Sequence, residues 1–145
     1  MTLQQLQSRL DILRSNLEAL EKIPRASFEQ FAADFRNVQA TLHLLQTSVQ
    51  ALVDLGSVLV ARLGLPAPRT SHDVLQRLED AGRLPRGTTG TYAPMIGFRN
   101  RVVHLYDRID ERRVFEILTE HRSDLAALFD LLLAVLEALE SDGAT

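Results

Sequence analysis

The chain has 145 residues, with sixteen basic and nineteen acidic residues, no cysteine and a formal net charge of −3. That length suits one domain spanning residues 1–145 and burying about two-thirds of its unfolded-chain surface. The absence of cysteine excludes a disulfide scaffold and thiolate metal sites, and the acidic total argues against a general nucleic-acid coat.

The first predicted helix runs from about Leu3 to Ile23. Leu3, Leu6, Leu10, Leu13, Leu17 and Leu20 step by three and four, a narrow leucine seam, and Pro24 stops it. Ser27, with Gln30 three positions on, forms a capping box that opens a second helix. Its seam passes through Phe28, Phe31, Phe35, Val38, Leu42, Leu45, Val49 and Leu52 without losing register. The helix is expected to run unbroken to about Leu63, a rod on the order of 55 Å long. Past Val49 the apolar positions spread around the helix, so that end should be buried on more than one side and offers a dimer surface. Thr70 or Ser71 caps a short third helix that ends near Gly82, with Val74, Leu75 and Leu78 inward.

Arg83 to Gly90 (R-L-P-R-G-T-T-G) is expected to be a loop. Pro94 is tolerated only in a first turn, which places the start of the fourth helix near Gly90 to Ala93 and its end at Tyr106 to Arg108. Asp110 caps the fifth helix, whose seam is Val114, Leu118, His121, Leu125, Leu128, Leu132, Val135 and Leu139. His121 on that seam is expected to be a packed, hydrogen-bonded core histidine. No segment alternates with period two, so the expected fold is all-α, an antiparallel bundle of about five helices. No basic-plus-apolar leader opens the chain, and no uninterrupted apolar run approaches the ~20 residues that span a bilayer. A soluble, cytoplasmic protein with no membrane partner is expected.

The chemistry concentrates in Met95 to Ile109, M-I-G-F-R-N-R-V-V-H-L-Y-D-R-I. At about 100° per residue, Met95, Phe98, Val102, Leu105 and Ile109 form an apolar seam, and Arg99, Asn100, His104, Tyr106 and Asp107 lie opposite. Asn100 and His104 are one turn apart, and Arg99 and Tyr106 two turns. Ile96 and Val103 fall within the polar patch, which a second copy of the chain would cover. The charge is also uneven: Arg69 to Arg113 holds nine arginines against six acids, a local +3, and the rest sums to −6. Arginine's planar fork suits phosphate. No His, Asp or Glu grouping has metal-ligand spacing.

The string Arg99-Asn100-x-x-x-His104-x-Tyr106 resembles the signature of the HEPN superfamily, and in its R-N-x-x-x-H-x-Y form that of the HepT-like toxins. The surrounding G-F-R-N-R-V-V-H-L-Y-D-R-I-D and the order of helices extend the likeness over most of the chain. The resemblance implies a toxin that cleaves RNA as an endoribonuclease without metal or cofactor. Arg99 would clamp the phosphate. His104 would take a proton from a ribose 2′-hydroxyl and return one to the leaving 5′-oxygen, and Asn100 would support it. In a two-fold homodimer two such patches would share one cleft. The resemblance also implies that a cognate MntA-like minimal nucleotidyltransferase, the antitoxin, attaches AMP to Tyr106. The competing expectation is a non-catalytic helical module that positions substrate for such a nucleotidyltransferase.

Overall fold

The computed structural model of the chain describes residues 2–104 and 110–143; the side chains of residues 100–104 and 143 lie outside that description. Among the described residues there are six helices and no strand: α1 (Leu3–Lys22), α2 (Phe28–Ala32), α3 (Phe35–Arg62), α4 (Ser71–Asp80), α5 (Thr88–His104) and α6 (Glu111–Gly143). The all-α architecture agrees with the sequence reading, and the extra helix comes from a break in the expected rod. Asp34 takes an extended conformation and its Oδ1 accepts the Arg36 backbone N–H at 2.9 Å, an N-cap that opens a new helix. The Asn37 amide donates to the Phe31 carbonyl at 3.0 Å and covers the end of α2. The break shifts the register, so Phe35 is 71% exposed while Phe31, Val38, Leu42, Leu45, Val49 and Leu52 are buried. Leu3, the first residue of the α1 seam, is exposed as well.

The other caps follow the local sequence. Thr2 and Gln5 exchange bonds in a full capping box at the start of α1. Thr70 accepts from the Asp73 N–H at 3.1 Å, and Asp110 accepts from the Arg112 and Arg113 N–H groups at 3.1 and 3.2 Å. Gly64 and Gly82 take positive φ just past α3 and α4, where a side chain would be strained.

α1 runs antiparallel to α3, with Arg9 against Asp54 at one end and Asn16 against Thr47 and Ser48 further along. It is antiparallel to α6 too, through Arg14 over Phe129 and Glu21 against Arg122. α2 closes one end, its Phe28 and Phe31 rings 5.7 and 5.5 Å from Phe115 of α6. α3 is long and apolar enough to cross a membrane by length and composition alone, unlike the sequence expectation. Its apolar residues sit in one core with those of α1, α4, α5 and α6. Gly56 lets α4 approach α3 closely: a Cβ there would stand 2.6 Å from Val74 Cγ1.

That packing corrects the expected dimer surface at the end of α3. Leu52, Leu55, Leu59 and Val60 are buried within the chain itself, and Val53 and Val58 are half-buried against the same core. Leu3, Ile12 and Phe35 are the large apolar residues left exposed among the described ones.

Candidate active site

α5 carries Arg99, Asn100 and His104 of the motif, and contacts at its start position it. Gly87, at φ +94°, turns the chain into the helix, a conformation that glycine takes without strain. The Glu79 carboxylate of α4 accepts the Thr89 backbone N–H at 2.8 Å, satisfying a donor that α5 itself leaves open. Backbone bonds from Thr89 and Gly87 hold the Glu79 carboxyl below the usual glutamate range. The His72 ring of α4 lies 3.3 Å, through Nε2, from the Ala93 carbonyl. Tyr92 is buried between α5 and the bundle; burial, with the Asp124 charge as a lesser cause, raises its hydroxyl pKa.

These contacts start α5 at Thr88, earlier than the expected Gly90 to Ala93, and place Pro94 beyond the first turn. A proline there removes the N–H that would meet the Gly90 carbonyl. Both Gly90 and Pro94 face solvent, where water can take the orphaned oxygen.

Arg99, Asn100 and His104 lie on the one continuous helix α5, which puts Asn100 and His104 a turn apart. Tyr106 and Asp107 lie outside the described residues, as do the side chains of Asn100, Val103 and His104. On the core side Met95 and Phe98 are buried, as the seam requires. Ile96 differs from the sequence reading. It is 1% exposed, packed near Val49, Leu52, Val74 and Leu128, so this chain covers it and no second copy is needed.

Arg99 is half-buried, and its Nη2 donates to Oε1 of Gln50 on α3. Gln50 in turn donates through Nε2 to Asp54 Oδ1 at 2.9 Å. Asp54 Oδ2 is 3.3 Å from Arg9 Nε on α1. A polar chain therefore runs from α5 across α3 to α1 behind the candidate catalytic arginine. Sequence reasoning missed Gln50 and Asp54. The available signal was an i,i+4 polar pair inside the otherwise apolar stretch Val49 to Leu55.

His121 is corrected from core to half-buried, with Nδ1 3.0 Å from Asp124 Oδ2 one turn on. His43 is exposed. Among the described residues, no three His, Asp or Glu side chains converge as metal ligands would.

The model of the HepT-like family, described as ribonuclease HepT-like, matches residues 13–132. A tRNA nuclease HepT of Aphanizomenon flos-aquae is 29% identical over 110 residues, covering 76% of this chain and 75% of that protein. An mRNA nuclease HepT of Shewanella oneidensis is 24% identical over 105 residues, 72% of this chain and 79% of that one. Among solved structures, the fold is similar to a tri-AMPylated Shewanella oneidensis HEPN toxin in complex with an MNT antitoxin. The TM-score is 0.78 at 19% identity, covering 92% of this chain and 99% of that one. A toxin–antitoxin structure with AMP-PNP gives a TM-score of 0.76 at 18% identity, with 91% and 99% covered. The family match spans most of the chain, including the stretch of α5 that carries Arg99 and His104: this protein belongs to the HepT-like ribonuclease family.

Proposed function

We propose that this chain is the toxin of a toxin–antitoxin pair, a metal-independent endoribonuclease whose catalytic residues are Arg99 and His104. The observation that carries this reading is Arg99-Asn100-x-x-x-His104-x-Tyr106, with Arg99, Asn100 and His104 on a helix whose opposite face is buried. His104 acts as general base on a ribose 2′-hydroxyl, which attacks the adjacent phosphorus. The P–O5′ bond breaks, a proton goes to the leaving 5′-oxygen, and a 2′,3′-cyclic phosphate remains. Arg99 holds the phosphoryl oxygens as charge develops on them. The 2′-hydroxyl is already part of the substrate, so no metal-activated water is required.

One chain supplies one such histidine, and the two proton transfers are shared most simply between two α5 patches in a two-fold dimer. Asn100, a turn before His104, supports the imidazole. The partner is a minimal nucleotidyltransferase antitoxin of the MntA kind, and Tyr106 is its AMP acceptor. The AMPylated state of the Shewanella toxin in its antitoxin complex supports AMP transfer as the modification, and the choice of Tyr106 rests on the sequence motif. AMP on Tyr106, seven residues after Arg99 in the sequence, would add anionic bulk to the motif and exclude RNA phosphate by charge and volume. The arginine-rich stretch from Arg69 to Arg113, with its local +3, favours RNA in the cytoplasm as the substrate.

Expression without the antitoxin tests the reading. The wild-type chain should arrest growth and degrade RNA, whereas Arg99→Ala and His104→Ala should do neither at equal protein level. Equal behaviour of all three would remove both residues from catalysis and leave a binding module. Tyr106→Phe should stay toxic in the presence of the antitoxin.

A further inference from the structure

Resting on the catalytic role proposed for Arg99, we propose that Gln50 is its positioning residue: a neutral tether, oriented by Asp54, that fixes the guanidinium without adding a countercharge. Arg99 Nη2 donates to Gln50 Oε1, and Gln50 Nε2 donates to Asp54 Oδ1 at 2.9 Å. The carboxylate sets the amide's orientation, because it accepts only the NH2 end. A flipped amide would aim N–H at the guanidinium and oxygen at the carboxylate, two repulsive contacts. Asp54 is itself only 24% exposed, and Arg9 of α1, 3.3 Å away, takes its charge. The acid of this cluster is thus matched by Arg9, one residue removed from Arg99.

The identity of residue 50 then has a chemical reason. A long side chain at this place on α3 is needed to reach α5, and either Gln or Glu has the length. Glutamate would form a charge-assisted pair with Arg99 and compete with RNA phosphate for the same donors. Glutamine offers a carbonyl oxygen of the same reach and adds no negative charge beside the guanidinium. The bond also removes rotamer freedom that Arg99 would otherwise lose on meeting the phosphate. α3 packs against each of the other five helices, so the tether ties the arginine to the central element of the bundle.

The test compares wild type, Gln50→Glu, Gln50→Met, Asp54→Asn and Arg99→Ala as full-length purified protein. Two quantities are read: cleavage of a short RNA, and the salt dependence of binding to the same RNA with 2′-deoxy residues that block cleavage. Gln50→Glu should lower kcat/KM by about ten- to a hundredfold, the size of one charge-assisted phosphate contact. It should also flatten the slope of log Kd against log salt by about 0.7 for each arginine withdrawn, as Arg99→Ala should. Gln50→Met, which loosens the arginine but keeps its charge, should lower kcat and leave that slope unchanged. Asp54→Asn should fall between wild type and Gln50→Met, again with unchanged slope. If both Gln50 variants cleave as wild type while Arg99→Ala is dead, the tether is wrong and the catalytic assignment stands. If Gln50→Glu loses activity with an unchanged slope, residue 50 merely packs, and the tether is wrong again. Should either Gln50 variant fail to fold, wild-type kcat in Asp54→Asn would overturn the proposal. Wild-type cleavage by Arg99→Ala would instead defeat the catalytic reading itself.

Discussion

Glu79 shows how much a single side chain outside the motif can do for it. Its carboxylate, on α4, accepts the Thr89 N–H and so caps the helix that carries Arg99 and His104. The contact depresses its pKa, so its contribution to stability is complete above the ordinary glutamate value, about 4.3, and is lost as the pH falls through the lower folded value. Glu79→Gln keeps the shape and removes the charge. Thermal melts of the two proteins should therefore differ at pH 7, converge as the pH drops below the ordinary glutamate value, and coincide once Glu79 is protonated. A constant gap across that range would mean that the charge contributes nothing. At this scale the sequence was only partly legible. Arg99 and His104 stood out because their spacing is a pattern along one helix. Glu79, Gln50 and Asp54 reach the site across helix–helix contacts, which no spacing along the chain reveals. His121 misled in the opposite direction: it fits the α6 seam, yet a hydrogen bond with Asp124 keeps it at the half-exposed edge.

Among the helices, the seams of α1, α3, α4 and α6 were legible because period and burial coincide. The break at Asp34 was not, since Phe28, Phe31 and Phe35 keep the helical step right across it. Only the cap on Arg36 and the exposure of Phe35 separate α2 from α3. The start of α5 was hidden for a related reason: a proline suggests a boundary, and the Glu79 cap that overrides it lies on another helix. The α3–α4 contact allows a quantitative check. Gly56→Ala gains up to about 1 kcal/mol in helix propensity but drives a methyl into the stiff, buried Val74, at a cost of about 2–3 kcal/mol. The net loss of about 1–2 kcal/mol should lower Tm by about 3–6 °C in a chain of this size. An unchanged or raised Tm would show that α4 can move away from α3 freely. Such a shift would also disturb Glu79 and His72, the two α4 residues that hold α5.

For the molecule as a whole, the bundle packs around α3 and holds α5, the helix of the candidate site, against it. α3 lies at the centre with α1, α4, α5 and α6 around it, and the polar chain Arg9–Asp54–Gln50–Arg99 crosses three of those helices. Charge is uneven along the chain, −3 in total but +3 between Arg69 and Arg113, on which the proposed attraction of RNA rests. Because Ile96 and the far end of α3 are covered within the chain, the proposed dimer does not follow from surplus apolar surface. It rests on the chemistry, which needs two proton transfers and finds one motif histidine per chain. That chemistry is tested most directly by incubating purified protein with a short RNA in excess EDTA and identifying the product ends by mass spectrometry. The account predicts cleavage undiminished by the chelator, a 2′,3′-cyclic phosphate on one fragment and a 5′-hydroxyl on the other, and no products from His104→Ala. Cleavage that EDTA abolishes, 5′-phosphate ends, or full activity in His104→Ala would contradict it.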